Sequence, residues 1–221
     1  MPRYASVLFD LDGTLIDSVR LILDSYHHTM AVHGLPAQTD AEWLEGLGTP
    51  LRAQFSAWAA DEVRMAELIA TYREYNLEHH DSQVTVYPGV TEVVRSLQAS
   101  GTRLGIVTSK NRSGALRGLR LVGLEDAMEI VIGADSVSRH KPDPEPVLAA
   151  LAATGIDARD TLFVGDSPHD MLSGRAAGTA TGAALWGPFS RSVLEATTPD
   201  HWFADPAHLL HLMESPDPLP R

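Results

Sequence analysis

Five short runs of aliphatic and β-branched residues recur along the chain: "ASVLF" (5–9), "RLGIVT" (103–108), "EIVIG" (129–133), "TLFVG" (161–165) and "TATGAAL" (179–185). Polar residues or glycine and proline close each of them, as at the end of a strand. Helical spacing fills the intervals. Val90, Val93, Val94 and Leu97 precede Gly101; Ala115, Leu116 and Leu119 precede Gly123; Val147, Leu148 and Leu151 precede Gly155. Strand, helix and strand repeated with short loops predict an α/β fold, a Rossmann-like open parallel sheet covered by helices on both faces.

Residues 16–86 break that rhythm. Val19, Ile22, Leu23, Tyr26 and Met30 form one helical stripe that stops at Gly34, and Thr39, Asp40, Ala41 and Glu42 fit a capping box. Thr49-Pro50 opens a third helix with Leu51, Phe55 and Trp58, and Met65, Leu68, Ile69 and Tyr72 mark a fourth. No strand pattern interrupts them. The division expected is a catalytic core of residues 1–15 and 87–221 carrying an all-helical cap, 16–86, with "VTVYPGV" (84–90) as its return linker. "MESPDPLPR" (213–221) is expected to fray.

Composition narrows the function. The 221 residues carry a formal charge of −12 with a pI near 5.1 and no local basic patch, which disfavours nucleic acid and acidic membrane surfaces as partners. The absence of cysteine removes disulfides and thiolate metal sites. With neither a signal-like leader nor a membrane-length apolar stretch, a cytoplasmic protein is expected, as monomer or homodimer.

Ligands of parallel sheets collect beyond the carboxyl ends of the strands, where the unusual polar residues of this chain fall. Asp10 and Asp12 close the first run; two apart on extended chain, they face one side, and Gly13 then permits a sharp turn. Thr108, Ser109 and Lys110 follow the second run. Asp166 and Ser167 follow "TLFVG", with Asp170 four residues after Asp166, and Lys141 opens "KPDPEP". Acids converging on one edge repel: at ~4 Å each ionised pair costs about 4 kcal/mol at an effective dielectric of about 20. A hard cation relieves this, and oxygen ligands without thiols suit Mg²⁺. The Thr108 hydroxyl, the amides after Asp10 and the Lys141 ammonium could hold a phosphate, so that Asp10 attacks in line while Asp12 protonates the leaving oxygen and then activates water.

"DLDGT" (10–14), "VTS" (107–109), "KPDP" (141–144) and "GDSPHD" (165–170) resemble, in order, the four motifs of the haloacid dehalogenase-like superfamily, in its branch of phosphoglycolate phosphatase-like hydrolases with a helical cap. The resemblance spans essentially the whole chain and includes the late "WGPFSR" (186–191). It implies Asp10 as nucleophile, Asp12 as acid and base, and Thr108 and Lys141 as phosphoryl binders. It also implies Mg²⁺ held by Asp10, the Asp12 backbone carbonyl and Asp166, with Asp170 holding either metal waters or Lys141; Ser109 and Ser167 are supporting residues. Members that cleave carbon–halogen bonds lack an acid at the position of Asp12. Phosphonoacetaldehyde hydrolases use a cap lysine, whereas the only lysines here are Lys110 and Lys141. Neither reaction is expected.

Plainer readings exist. Thr108 alone could cap a helix, Lys141 could be a surface lysine, and Asp170 could complement a helix dipole after Pro168. His27-His28 and His79-His80 point too far apart along a helix to share a metal and read as surface or cap-interface residues. Trp43, Phe55 and Trp58 read as cap core. In "EGLGTPLR" (45–52), Gly46, Thr49 and Arg52 are candidate substrate contacts; Arg52 either reaches a substrate carboxylate or second phosphate, or is a solvated arginine of a helix–helix turn. The function expected is a Mg²⁺-dependent phosphatase acting on a small phosphorylated metabolite, phosphoglycolate first, through an aspartyl phosphate. The alternatives are an inorganic pyrophosphatase, a sugar phosphomutase, or a non-catalytic regulator, which would be expected to have lost one of Asp10, Asp12, Thr108, Lys141 or Asp166.

Overall fold

The computed structural model describes residues 3–214; positions 215–221 of the expected tail lie outside the described residues. In chain order the elements are β1 (Ser6–Phe9), β2 (Ile16–Asp17), α1 (Val19–Val32), α2 (Asp40–Glu45), α3 (Leu51–Gln54), α4 (Glu62–Gln83), β3 (Thr85–Val86), α5 (Val90–Ala99), β4 (Arg103–Val107) and α6 (Arg112–Leu121). There follow β5 (Ile130–Ile132), α7 (Glu145–Thr154), β6 (Thr161–Gly165), α8 (Pro168–Ala177), β7 (Ala180–Ala184), α9 (Arg191–Glu195), β8 (His201–Phe203) and α10 (Ala207–Glu214). Among the described residues no helix is long and apolar enough to cross a membrane.

Six parallel strands form the main sheet in the order β5-β4-β1-β6-β7-β8. The alternation of side chains along each strand feeds two cores. Val7 and Phe9 of β1, with Leu104, Ile106, Leu162 and Val164, face a cluster that takes Val90, Val93, Val94 and Leu97 of α5, Ala115 and Leu119 of α6, and Leu209 and Met213 of α10. Leu8, Val107, Ile132 and Phe163 point the other way, against Val147, Ala150 and Leu151 of α7 and Ala177 of α8. Strand β1 is central, and the chain adds β4 and β5 on one side before returning to add β6 on the other. A crevice therefore opens beyond the carboxyl ends of β4, β1 and β6.

Two elements depart from the sequence pattern. Strand β8 was not among the five expected runs; at three residues, including a histidine, it is too short to show a period, and its place at the sheet edge comes from pairing with β7. Nor is the segment 16–86 purely helical, because Ile16 and Asp17 pair antiparallel with Val86 and Thr85. Two-residue strands have no hydrophobic pattern of their own; they form because chain leaving and re-entering the sheet must run side by side.

Between these short strands α1 to α4 enclose a separate apolar cluster: Ile22, Leu23, Tyr26, Met30, Trp43, Leu47, Phe55, Met65, Leu68 and Tyr72. Tyr26 stacks on Trp43 at 4.3 Å, and Phe55 meets the Tyr26 ring edge-on at 5.6 Å. The Thr39–Glu42 capping box opens α2, with both reciprocal hydrogen bonds formed. Helix α3 spans only four residues, so Phe55 and Trp58 follow it in turns while still packing into the cluster. His80, near the end of α4, is buried with Nδ1 2.8 Å from Asp81; its other nitrogen faces Gly118 of α6.

Phe55 is fully buried at the centre of this aromatic group. Phe55→Ala is expected to destabilise the helical insert by about 3–5 kcal/mol. Hydrogen exchange should quicken across α1 to α4 and leave the β1 and β6 amides protected.

Candidate active site

The ends of β1 and β6 bring three acids together. Asp10, Asp166 and Asp170 are buried, and one carboxylate oxygen from each lies within 4.8 Å of the others. Asp10 directly follows β1, its amide bonded to the Val164 carbonyl at 2.9 Å, so parallel pairing sets Asp10 beside Asp166. Asp170 comes from the first turn of α8. Ser167 caps that helix, and its amide and hydroxyl donate to the Asp170 carboxylate at 3.0 and 2.6 Å. Gly165 makes room for this arrangement, since a side chain there would collide with Asp170.

Lys141 enters from the loop before α7. Its ammonium lies 2.6 Å from Asp170, 3.3 Å from the Val107 carbonyl at the end of β4, and 3.1 Å from Asp10 Oδ1. The last approach is off the hydrogen-bond axis and leaves Oδ1 buried without a hydrogen-bond partner. The contact with Lys141 expected of Asp170 is formed, and Asp170 also lies within the acid cluster. Thr108 is buried after β4, its hydroxyl oxygen accepting from the Lys110 amide at 3.2 Å.

Burial dominates the electrostatics. It pushes the Asp10 carboxyl up to about 7, with Asp170 and Asp12 adding to the rise and Lys141 opposing it. Burial also raises the Asp166 carboxyl well above the usual range, reinforced by Asp10 and Asp170 and opposed by the Thr14 hydroxyl bond and Lys141. For Lys141 burial acts against the charged form, yet Asp10 and Asp170 together raise its pKa. A single ammonium among three buried carboxylates leaves excess negative charge, and Asp10 Oδ1 has the ion-pair contact with Lys141 but no hydrogen bond. This all-oxygen donor set therefore suits a hard divalent cation, and Asp10, Asp166 and Asp170 each bring a carboxylate oxygen close enough to the others to hold one.

The Asp12 side chain turns away from this cluster. It accepts from Ser18 at 2.6 Å and from the Lys110 ammonium at 2.9 and 3.2 Å, so only its backbone could join the acids in holding a metal. Lys110, absent from the site expected from sequence, is thus the partner of the second acid. The scarcity of lysine in the chain was the available signal.

The helical insert reaches the crevice through Gly48. The Gly48 carbonyl accepts from the Ser109 hydroxyl, and a Cβ at Gly48 would lie 3.0 Å from Ser167 Oγ and 3.3 Å from the His169 ring. Its φ of +93° is a further bar to other residues. Burial pushes the His169 imidazole down. The expected substrate contacts Gly46, Thr49 and Arg52 make contacts within the insert. Thr49 and Gln54 donate to the Gly46 carbonyl, and Arg52 lies on the exposed face of α3 paired with Glu62.

A Rossmann-like sheet with two acids after its first strand, a buried lysine, a further pair of acids after β6 and a helical insert over the crevice defines a class of phosphoryl-transfer hydrolases. The chain belongs to the haloacid dehalogenase-like hydrolases, whose family model matches residues 7–184. It is 41% identical over 211 residues to the pyrophosphatase PpaX of Bacillus velezensis, covering 95% of this chain and 96% of that one. The PpaX of Anoxybacillus flavithermus is also 41% identical, over 209 residues, with 94% and 96% covered. Among solved structures, a predicted phosphoglycolate phosphatase of Haemophilus somnus superposes with a TM-score of 0.88 at 25% identity, covering 97% of this chain and all of that one.

With its carboxyl raised, folded Asp10 binds a proton more tightly than the unfolded chain does. Its contribution to stability therefore declines as pH rises from about 4 towards about 7. In metal-free buffer, Asp10→Asn should gain melting temperature over the parent between about pH 5 and about pH 8. Mg²⁺ at the higher pH should stabilise the parent more than the variant, and thermal melts of both proteins check this.

Proposed function

We propose that this protein is a Mg²⁺-dependent phosphohydrolase that passes a phosphoryl group from a small substrate to Asp10 and then to water. The supporting observation is the convergence of Asp10, Lys141, Asp166 and Asp170, buried and in mutual reach beyond the ends of β1, β4 and β6. Mg²⁺ held by Asp10, the Asp12 carbonyl and Asp166 would supply positive charge to the phosphoryl oxygens.

An Asp10 carboxylate oxygen attacks phosphorus in line, the bond to the leaving oxygen breaks, and its electron pair stays with that oxygen. Lys141, fixed by Asp170, and the Thr108 hydroxyl neutralise the oxygens of the transferred group. Asp12 gives its proton to the leaving oxygen, then takes one from water as that water attacks the aspartyl phosphate and regenerates Asp10. The insert acts as a cap, residues 16–86 against a core of 1–15 and 87–221, with Gly48 as the point that meets Ser109, Ser167 and His169 and excludes water.

Inorganic pyrophosphate is the substrate we favour. The two 41%-identical relatives are named pyrophosphatases. Lys110 sets a second ammonium beside Asp12, where an anionic leaving group would gain from it. Arg52, expected to reach either a substrate carboxylate or a second phosphate, is paired with Glu62 and favours neither substrate. A phosphoglycolate-like monoester is the second reading, supported by the likeness to the Haemophilus somnus structure. All five residues whose loss would mark a non-catalytic relative are present.

Phosphate release from pyrophosphate, phosphoglycolate and hexose phosphates should be fastest with pyrophosphate and need no hexose bisphosphate, which a mutase would require. Asp10→Asn should lower turnover at least a thousandfold, about 4 kcal/mol of barrier, while keeping the parent's circular dichroism. Activity near the parent level would remove Asp10 as nucleophile. EDTA should silence the parent and Mg²⁺ restore it.

A further inference from the structure

The loop after β7 crosses the carboxyl ends of β1 and β6, and two of its residues hold the wall of the acidic cluster. The Trp186 indole N–H donates to the Thr14 carbonyl at 2.8 Å, joining positions 172 residues apart in sequence. The Thr14 hydroxyl donates to Asp166 Oδ1 at 2.7 Å. Among the described residues this is the only hydrogen bond to the Asp166 side chain, which leaves Oδ2 free. Gly187, next to Trp186, fits so closely that a Cβ there would lie 2.7 Å from the Gly13 carbonyl and nearer still to Asp166. A Cβ at Gly13 would in turn lie 2.7 Å from Asp166 Oδ2. The Asp166 carboxylate is boxed between the turn after β1 and the loop after β7.

We propose that Trp186 is a positioning residue for the divalent-cation site, fixing through Thr14 which oxygen of Asp166 is offered to the cation. The proposal rests on the metal reading above. The indole bond on one edge of the Thr14–Leu15 peptide and the Leu15 amide, bonded to the Leu11 carbonyl at 2.9 Å, on the other hold that peptide in place, the peptide carries the Thr14 hydroxyl, and the hydroxyl occupies Oδ1 and leaves Oδ2 without a hydrogen bond. Without the N–H, the buried Thr14 carbonyl lacks a protein donor, its peptide keeps only the Leu15 amide bond to the Leu11 carbonyl, and the loosened hydroxyl lets the carboxylate sample orientations that do not serve the cation. The other tryptophans cannot substitute. Trp43 and Trp58 belong to the helical insert, and Trp202 lies under the Arg191 guanidinium at 4.3 Å.

Binding of Mn²⁺, a paramagnetic stand-in for Mg²⁺, is measured by electron paramagnetic resonance of the free ion, and Mg²⁺ by calorimetry, both without substrate. Trp186→Phe keeps an aromatic ring and removes only the N–H donor along with the outer indole ring. It should weaken the cation about tenfold, while Trp202→Phe stays within about twofold of the parent. In a Thr14→Val background, Trp186→Phe should add nothing, because the link it acts through is already cut. Equal affinity in Trp186→Phe and parent overturns the proposal, as does an equal loss in both backgrounds, which would mean general loosening. A parent that binds neither ion overturns the metal reading itself, a separate result. Should Trp186→Phe not fold, nuclear magnetic resonance of the parent's indole protons decides. The Trp186 signal, assigned by elimination with Phe variants of the other three tryptophans, should move on adding Mg²⁺, and an unmoved signal overturns the proposal.

Discussion

The gathering of Asp10, Asp166 and Asp170 in a buried crevice with one ammonium to balance them is the constraint around which the rest of the molecule is arranged. Burying one uncompensated carboxylate costs several kcal/mol, so a fold that buries three must stabilise them by other means. Parallel pairing of β1 with β6 brings Asp10 and Asp166 together, and the cap of α8 turns Asp170 inward. Lys141 offsets part of the charge. The remainder is what makes a divalent cation a fitting partner.

Several small features read as consequences of that crowding. Gly13, Gly165 and Gly187 stand where any side chain would strike an acid. Thr14 and Ser167 spend their hydroxyls on Asp166 and Asp170, holding each carboxylate in one orientation. Trp186 belongs to the same layer of support, at one remove. The second acid of the first motif is treated differently: the Asp12 side chain is held by Ser18 and Lys110, apart from the hydrogen bonds that fix the cluster.

The helical insert has its own aromatic core and touches the crevice through a narrow loop. Its aromatic residues therefore serve packing, while the Gly48 backbone meets both Ser109 and Ser167. A contact made by backbone at a left-handed glycine depends little on the side chains around it. Thr49 and Arg52, the chemically conspicuous residues of that loop, are engaged with Gly46 and Glu62.

The sequence by itself determined the class of fold and the polar residues at the strand ends. Short continuous apolar runs alternating with helical stripes have few packings other than a covered parallel sheet, and four motifs in order place Asp10, Thr108 and Asp166 at the strand ends with Lys141 ahead of a helix. Local signals also sufficed for the Thr39 capping box and the aromatic core of the insert. Tertiary structure alone decided the rest: the β2–β3 ribbon, the edge strand β8, the pairing of Lys110 with Asp12, and the reach of Trp186 to Thr14. These contacts join residues far apart in the chain, or strands too short to carry a period, and no local propensity encodes them. They follow from where the packed sheet and helices bring each loop.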